Sequence, residues 1–557
     1  MDFFSLTIVL FCSYHSIRMD NLPKEDQTSP DQQGGEIFSS ASNEFGNQSV
    51  DSRPEIPSET IADQYQPVES INGGTEAREN SNQDQINSEM LSPSDNSTMT
   101  SPPAYIEDSR KKYLIIAVLI VLVLSVVGYL AKSILVKKTP SVAQPVTLTY
   151  WGLWEDKEVL QPVIDEYKRS KPNITINYIK QDPKQYRERL QEAIKRGEGP
   201  DIFRYHNSWL PMMQSYLSPV PKSIYSDTDF ENTFYPVVSD DLKSNNNFFG
   251  IPLEIDGLLL FYNEDILKGA NIDVPVTWED VQNAVAKITV KQSNRIVTSG
   301  IALGTAENIE HFSDILGLMM LQGGVELSQS FFKCTDPKIT TCAVEVLSYY
   351  RKFSETPNNT WDETLDNSIL AFSQGKVAMI FAPSWQIYTI KTLNPNLNFK
   401  TASVPQLPCK QKPCASINWA SYWVEGVSSK SRNSNSAWEF LKFLSQSEIL
   451  QKIYSEQVKY RKLFGEPYSR RDLGKALSDN PYLAPLIASA PTMKSFFLAS
   501  KTYDGDTGLN SKLIDYLKNA VNSLAQGVSP ETALKTAEEG FKTIYSRFDI
   551  ITPVPTQ

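Results

Sequence analysis

The chain has 557 residues, which is too long for one ordinary domain and enough for two or three hydrophobic cores. Its net charge of −12 comes from one segment, because residues 1–112 contain 19 Asp and Glu against 7 Lys and Arg. The remainder is close to neutral and has no run of Lys and Arg, which argues against nucleic acid or another polyanion as the partner.

The first 112 residues have the composition of a disordered acidic tail. Residues 3–12 are apolar, but no positive segment precedes them and no small-residue cleavage site follows, so a signal peptide is not expected. Met19 is an alternative first residue to Met1. From there to about residue 109 the chain is rich in Ser, Asn, Gln, Asp, Glu and Pro, and it lacks the large apolar side chains that would offset the entropy of ordering.

An apolar segment follows the tail. Residues 113–131 read YLIIAVLIVLVLSVVGYLA, nineteen residues without a charge, which is long enough to cross a bilayer. We therefore predict a transmembrane helix over 113–136 and a linker over 137–145. Lysines lie on both sides of the segment, so the charges alone do not choose its orientation.

The folded part, residues 146–557, opens with strands that alternate with helices. Patterns typical of strands cover 146–150, 174–179 and 201–204, with helical patterns between them, which predicts a largely parallel α/β sheet. Ligands bind outside the carboxyl ends of the strands in such sheets. This rule points to Trp151, Trp154, Gln181, Asp182, Tyr205, His206, Asn207 and Trp209. Of these, Trp151, Trp154, Asp182, Asn207 and Trp209 form a first group of candidate ligand-binding residues.

Residues 250–267, GIPLEIDGLLLFYNEDIL, are the stretch around which the chain is organised. An alternating strand-like run through Ile255 meets Asp256-Gly257, and a nearly continuous apolar run follows, which predicts a second strand. Asn263 then caps a helix. Such a passage would carry the chain from one α/β layer into another, as a hinge requires. Further on, Thr277 and Asp280 have the spacing of a capping box.

The same passage closely resembles the signature of extracellular solute-binding proteins of the carbohydrate-binding type, which are maltose-binding-protein-like. Residues 197–203, 371–385 and 436–445 resemble further motifs of that family, although Pro383-Ser384 stands where a glycine is usual. The resemblance covers about 146–548. It implies a two-lobed type II periplasmic-binding-protein fold with a hinge, in which lobe 1 holds about 146–263 and 384–445. Lobe 2 would hold about 264–383 together with C-terminal helices over 446–548.

Aromatic residues at predicted strand ends indicate a carbohydrate site. Flat rings pack on the apolar faces of sugars, while neighbouring polar groups bond to the hydroxyls. This reasoning adds Trp385, Trp419 and Tyr422 to the candidate ligand contacts, with Asp256 as a hydroxyl acceptor. For any single tryptophan, ordinary core packing is an equally good interpretation.

Motifs for catalysis and for metal or cofactor binding are absent from the sequence. The pair Glu254 and Asp256 has the residue types of a glycosidase, but one such pair is expected by chance among 65 acidic residues, so we expect no enzyme. Two close cysteine pairs, Cys334 with Cys342 and Cys409 with Cys414, lack the histidines of a metal site. Outside the cytosol they predict disulfides, with free thiols as the alternative.

The resemblance also implies a function. The chain would be a membrane-anchored extracytoplasmic receptor that captures a sugar or oligosaccharide between two lobes and delivers it to ABC-type permease subunits. The resemblance places the globular part outside the cell, which makes the acidic tail cytoplasmic. A sensory or adhesion ectodomain with the same fold is the alternative, and the sequence does not specify the solute.

Overall fold

The computed structural model of the protein describes residues 109–135, 144–328, 331–408 and 416–550. These residues fall into two compact units, one that contains a helix over Ser109–Leu135 and one that contains the residues from 144 onward. The predicted acidic tail up to residue 108 and most of the predicted linker lie outside the described residues.

The helix Ser109–Leu135 (α1) covers the apolar segment predicted to span a membrane. Its described apolar side chains, such as Leu114, Val121 and Leu124, are exposed. Within the part of the chain that the structure describes, no helix combines the length and the apolar character needed to cross a membrane. The predicted helix is confirmed, because the structure shows one over Ser109–Leu135. That this helix spans a membrane stays a prediction.

Most strands of the globular unit are short. In chain order they are β1 (Val146–Gly152), β2 (Ile174–Lys180), β3 (Ile202–His206), β4 (Leu217–Ser218), β5 (Lys243–Ser244), β6 (Asn247–Phe248), β7 (Leu258–Asn263), β8 (Val290–Gln292), β9 (Arg295–Ile301), β10 (Val325–Glu326), β11 (Lys333–Cys334), β12 (Val377–Pro383), β13 (Phe399–Ala402), β14 (Asn418–Trp419), β15 (Trp423–Ser428) and β16 (Met493–Lys494).

Helices separate most of these strands. They are α2 (Lys157–Ser170), α3 (Tyr186–Arg196), α4 (Leu210–Met213), α5 (Asp227–Thr233), α6 (Pro236–Leu242), α7 (Glu264–Gly269), α8 (Trp278–Ile288), α9 (Phe312–Gln322), α10 (Cys342–Lys352), α11 (Ser368–Ser373), α12 (Gln386–Leu393), α13 (Ser434–Leu444), α14 (Ser447–Arg461), α15 (Ala484–Ser489), α16 (Leu509–Ala525) and α17 (Pro530–Arg547).

Two five-stranded sheets organise the globular unit, and we call the parts built on them the first and second lobes. The first sheet has the order β2-β1-β3-β15-β4, with β1 parallel to β2 and β3, and β15 antiparallel to β3. The second sheet has the order β13-β7-β12-β9-β8, with β7 antiparallel to both of its neighbours. The predicted βαβ start of the first lobe and its α/β class are confirmed.

Two of the segments that connect the lobes run side by side. Residues 250–257 lead from the first lobe into β7, and residues 403–422 lead back from β13 to β15. The first segment forms an antiparallel bridge with β15, between Ile251 and Glu425, and another with the second segment, between Gly257 and Ala420. A Cβ atom on Gly257 would lie 1.9 Å from the carbonyl oxygen of Trp419, so only glycine permits this close approach.

The sheet pairing corrects the sequence-based lobe boundaries in three places. Strands β7 and β13 both belong to the second sheet. The predicted boundaries instead place residues 258–263 and 397–404 in the first lobe. Helix α14 packs on α2 of the first lobe, whereas α16 and α17 pack on α10 of the second. The predicted strand through Ile255 is only a series of isolated bridges, because its residues pair singly with three separate parts of the chain, at Glu425, Tyr468 and Ala420.

Local helix starts follow the sequence closely. The Asn263 side chain accepts hydrogen bonds from the backbone N–H groups of Asp265 and Ile266, as predicted for a cap. Thr277 and Asp280 form the predicted capping box, since each side chain accepts a hydrogen bond from the other residue's backbone N–H. Short-range hydrogen bonds of this kind depend on neighbouring residues alone, and they are therefore readable from the sequence.

One predicted disulfide is present. Cys334 in β11 is bonded to Cys342 at the start of α10, and the two Cα atoms are 5.8 Å apart. Cys409 and Cys414 lie outside the described residues, so their predicted pairing stays a prediction.

We predict that replacing both Cys334 and Cys342 by Ser lowers the free energy of unfolding by about 2 kcal/mol, because the crosslink restricts the unfolded chain. Urea denaturation of the double variant and of the wild type measures this difference. Peptide mapping without reduction is the control. Recovery of both peptides as free thiols from wild-type protein made in an oxidising compartment would contradict the assignment.

Candidate ligand-binding site

A cavity of about 330 Å³ lies where the two lobes meet. It opens at the carboxyl ends of β1, β3 and β12 and beside the start of β15, as expected for an open α/β sheet. The residues that line it are Trp154, His206, Glu254, Asp256, Gly257, Leu258, His311, Asp314, Pro383, Ser384, Trp385, Tyr388, Thr389, Trp419, Ser421, Trp423, Arg461, Phe464, Gly465, Glu466, Pro467, Ser500, Lys501 and Tyr503.

Aromatic rings form both the rim and the floor of the cavity. Trp385 and Tyr503 are 40% and 45% exposed, which places them at its mouth, whereas Trp419 is fully buried. The ring of Trp154 lies 5.2 Å from that of Trp423 and 5.5 Å from that of Tyr503. These three rings form one contiguous aromatic wall, which provides apolar faces against which a flat ligand can pack.

Hydrogen bonds hold the floor in place. The indole N–H of Trp419 donates to a carboxylate oxygen of Asp314, with a nitrogen-to-oxygen distance of 3.0 Å. Asp256 accepts hydrogen bonds from the backbone N–H and the hydroxyl of Ser384 at 3.0 Å and 2.9 Å, and from the backbone N–H of Gly257 at 2.7 Å. Burial raises the pKa of Asp256 to about 6 despite these bonds.

Two carboxyl groups on the cavity wall share a hydrogen bond. Glu254, in the first connecting segment, is bonded to Glu466, which is in turn paired with Arg461 at 2.9 Å. Burial and the nearby charge of Glu466 raise the pKa of Glu254 well above its ordinary value. Burial opposes ionisation of Glu466 as well, but Arg461 and the bond from Glu254 hold its pKa below the ordinary value. The pair therefore retains a proton on Glu254.

A buried ion cluster lies behind this pair. The guanidinium of Arg204 in β3 donates to Glu425 in β15 at 2.7 Å and to Glu155 after β1 at 2.8 Å. Burial raises the pKa of Glu155 to about 7, although Arg204 opposes the shift. The cluster joins three neighbouring strands at the ends that face the cavity.

Two histidines reach the cavity. His206 at the end of β3 is hydrogen-bonded to the hydroxyls of Ser208 and Ser421, at 2.7 Å and 3.1 Å, and burial lowers its pKa to about 3. The ring is therefore neutral at physiological pH. His311 is hydrogen-bonded through Nδ1 to the Ser500 hydroxyl at 2.8 Å. Among the residues that the structure describes, no cluster of His, Cys, Asp and Glu suits a metal ion.

The structure brings four of the nine sequence-predicted ligand contacts together around the cavity. These are Trp154, Asp256, Trp385 and Trp419. Trp154 follows β1, Trp385 follows β12, and the other two belong to the connecting segments. Both carboxylate oxygens of Asp256 already accept hydrogen bonds from the protein, so its position favours holding the floor over the predicted role of hydroxyl acceptor.

The other five predicted contacts do not line the cavity. Trp209 is fully buried in the core of the first lobe, and Trp151 is half-buried beside that core. Asp182 follows β2, the edge strand, where it accepts a hydrogen bond from the backbone N–H of Lys184. Asn207 and Tyr422 are buried, and both donate to Asp241, at 2.9 Å and 2.7 Å.

Several cavity residues were not among the predicted contacts. Glu466 and Tyr503 lie in loops with no recognisable motif, far along the chain from the predicted contacts that line the cavity. In the sequence, Glu254 stands out only as one half of an acidic pair with Asp256. Trp423 begins β15, and its position beside the predicted contact Tyr422 is the one pattern that could have identified it.

A model of the family described as bacterial extracellular solute-binding protein matches residues 163–462. The chain belongs to this family. The match spans more than half of the chain and covers both connecting segments.

Similar proteins are sugar-binding by name. The chain is 20% identical to the multiple sugar-binding protein of Streptococcus mutans over 407 residues, which are 71% of this chain and 91% of that protein. A solved cyclo/maltodextrin-binding protein complexed with maltotetraose superposes with a TM-score of 0.58 at 19% identity, over 73% of this chain and 98% of its own. The sugar-binding protein MalE of Xanthomonas citri gives 0.57 at 18% identity, over 72% and 98%. These likenesses show the two-lobed fold.

We predict that the free energy of unfolding falls as the pH rises above about 4.5, the ordinary pKa of a glutamate, because folded Glu254 keeps a proton that the unfolded chain releases. Each pKa unit of that shift corresponds to about 1.4 kcal/mol. Glu254→Gln removes this contribution and should make the profile less steep, while the contributions of Glu155 and Asp256 remain. Urea denaturation at a series of pH values measures it.

The matched control for this titration is Glu355→Gln, which changes an exposed glutamate outside the cavity. Its pH profile should follow that of the wild type. Parallel profiles for Glu254→Gln and the wild type would contradict the retained proton.

Proposed function

We propose that the protein is an extracytoplasmic solute receptor that binds a sugar or oligosaccharide between its two lobes. The observation that carries the proposal is the cavity between the lobes, with tryptophan and tyrosine rings along its wall and carboxyl groups beside them. Rings offer faces for the C–H groups of a pyranose, and the carboxyl groups and serines offer bonds to its hydroxyls. The sugar-binding names of similar proteins support the same ligand class.

We further propose that the protein acts without catalysis, as a receptor that hands its solute to an ABC-type permease. Membership in the solute-binding family supports this role. Closure of the lobes around a ligand would create a shape that a permease distinguishes from the open one. The acidic pair Glu254 and Glu466 is joined by a hydrogen bond between its two carboxyl groups, whereas the carboxyl groups of a glycosidase stand apart on either side of the scissile bond.

Anchoring to a membrane through residues 113–131 is the third part of the proposal. Its support is the uncharged nineteen-residue sequence, which forms a helix. Deletion of residues 113–131 should move the protein from the membrane fraction to the soluble fraction of cells that express it. Recovery of the full chain in the soluble fraction would contradict the anchor.

Sugar binding is tested by tryptophan fluorescence titration of the full chain with a panel of maltose-type and mannose-type oligosaccharides. We expect saturable quenching or enhancement by at least one member, because Trp154, Trp385 and Trp423 line the cavity. Trp385→Ala should lower the affinity for that ligand at least tenfold, or about 1.4 kcal/mol, because a ring face at the rim is lost.

The matched control for this titration is Trp151→Ala. It removes a tryptophan that is also partly exposed but does not line the cavity, so the affinity should stay within twofold of the wild type. An equal loss in both variants would argue against the cavity as the sugar site, and a flat response to the whole panel would argue against the function.

A further inference from the structure

We infer that Tyr503 closes one end of the cavity and sets the length of the carbohydrate that the site accepts. The inference rests on the proposed function, because it names a specificity-determining residue for that same site. It concerns a loop, residues 500–508, that matches none of the sequence motifs discussed above.

The loop is fixed to the second lobe at its start. The backbone N–H of Ser500 donates to Asp314 at 3.0 Å, and its hydroxyl is bonded to His311. Lys501 forms an ion pair with Glu310 at 3.1 Å. These three partners lie at or just before the start of α9, so the first two residues of the loop are held by one small region of the second lobe.

Four residues later the same loop is fixed to the first lobe. Arg187 in α3 donates through Nε to the carbonyl oxygen of Asp504 at 2.7 Å and through Nη2 to the hydroxyl of Thr507 at 3.0 Å. The fully buried carboxylate of Asp504 accepts from the backbone N–H of Asn510, which also donates from its side chain to Ser208. The loop therefore crosses from one lobe to the other over the cavity.

The backbone between these anchors turns Tyr503 toward the aromatic wall. Lys501 and Tyr503 both adopt left-handed backbone conformations, with φ of 57° and 54°, and Gly505 has φ of 75°. Such conformations are unfavourable for residues with a Cβ atom, and they persist only where the surroundings impose them. Here the surroundings are the anchors on both sides and the contact with Trp154, so Tyr503 is held in place at the mouth.

The position of the ring explains its effect on ligand length. Tyr503 lines the cavity and is 45% exposed, so solvent begins on its far side. A sugar unit that packs against Trp154 and Trp423 would meet the Tyr503 ring where the next unit would extend. Removal of the ring opens the site at that end and also removes a contact for the terminal unit of a short ligand.

The test is a length series of α-1,4-linked glucose oligomers, from disaccharide to heptasaccharide, and a matching β-1,4-linked mannose series. Dissociation constants are measured by calorimetry on the full-length wild type and on Tyr503→Ala. We expect the variant to bind short members at least fivefold more weakly, while long members bind as well as or better than before. The preference for long over short ligands should therefore rise at least fivefold.

Two further variants separate the ring from other effects. Tyr503→Phe keeps the ring and removes the hydroxyl, so the length preference of the wild type should persist. Tyr460→Ala removes a similarly exposed tyrosine that does not line the cavity, and it should change nothing in the series. Thermal unfolding of each variant confirms that it is folded, and Tyr503→Leu replaces the alanine variant if that one is not.

The outcomes distinguish the inference from the proposed function. If the wild type binds sugars and the variant keeps the same ratio between long and short members, the inference is overturned and the proposed function stands. If the wild type binds no member of either series, both fall. A change of ratio of fivefold or more in Tyr503→Ala, with an unchanged ratio in Tyr503→Phe, supports the inference.

Discussion

The close pairing of the two connecting segments is the constraint on which the rest of the structure depends. Residues 250–257 and the return into β15 run antiparallel, joined at Ile251 with Glu425 and at Gly257 with Ala420. Because both segments leave one sheet and enter the other at the same place, the carboxyl ends of β1, β3 and β12 are brought around one cavity. The site therefore forms where the chain passes from one lobe to the other, and its residues come from distant parts of the sequence.

The charged side chains near the two connecting segments are paired through hydrogen bonds. Arg204 pairs with two carboxyl groups, Arg461 pairs with a third, and burial raises the pKa of Glu254 well above its ordinary value. Buried charges are costly unless they are paired, so this arrangement lets polar groups reach the wall of an otherwise aromatic cavity. The wall then combines ring faces with acceptors and donors that are already oriented, which is what recognition of a hydroxylated ligand requires.

Much of the fold could be predicted because its evidence is local. The Asn263 cap, the Thr277 capping box and the first βαβ unit depend on neighbouring residues and on period alone. The site was only half predictable, because a strand end shows where a side chain starts but not which face it takes. Trp154 and Trp209 both follow strand ends, yet one lines the cavity and the other is sealed in the core. Tyr503 is positioned by long-range anchors, which no window of sequence contains.

The bonds of Asp256 to Ser384 have a mechanical consequence. They attach the end of the first connecting segment to the end of β12, so this end belongs to the second lobe. Within this segment, rotation of one sheet relative to the other would therefore use the torsions before Asp256, around Pro252 and its neighbours. The indole of Trp419 is bonded to Asp314 in α9, so the floor of the cavity belongs to the same half as the second sheet.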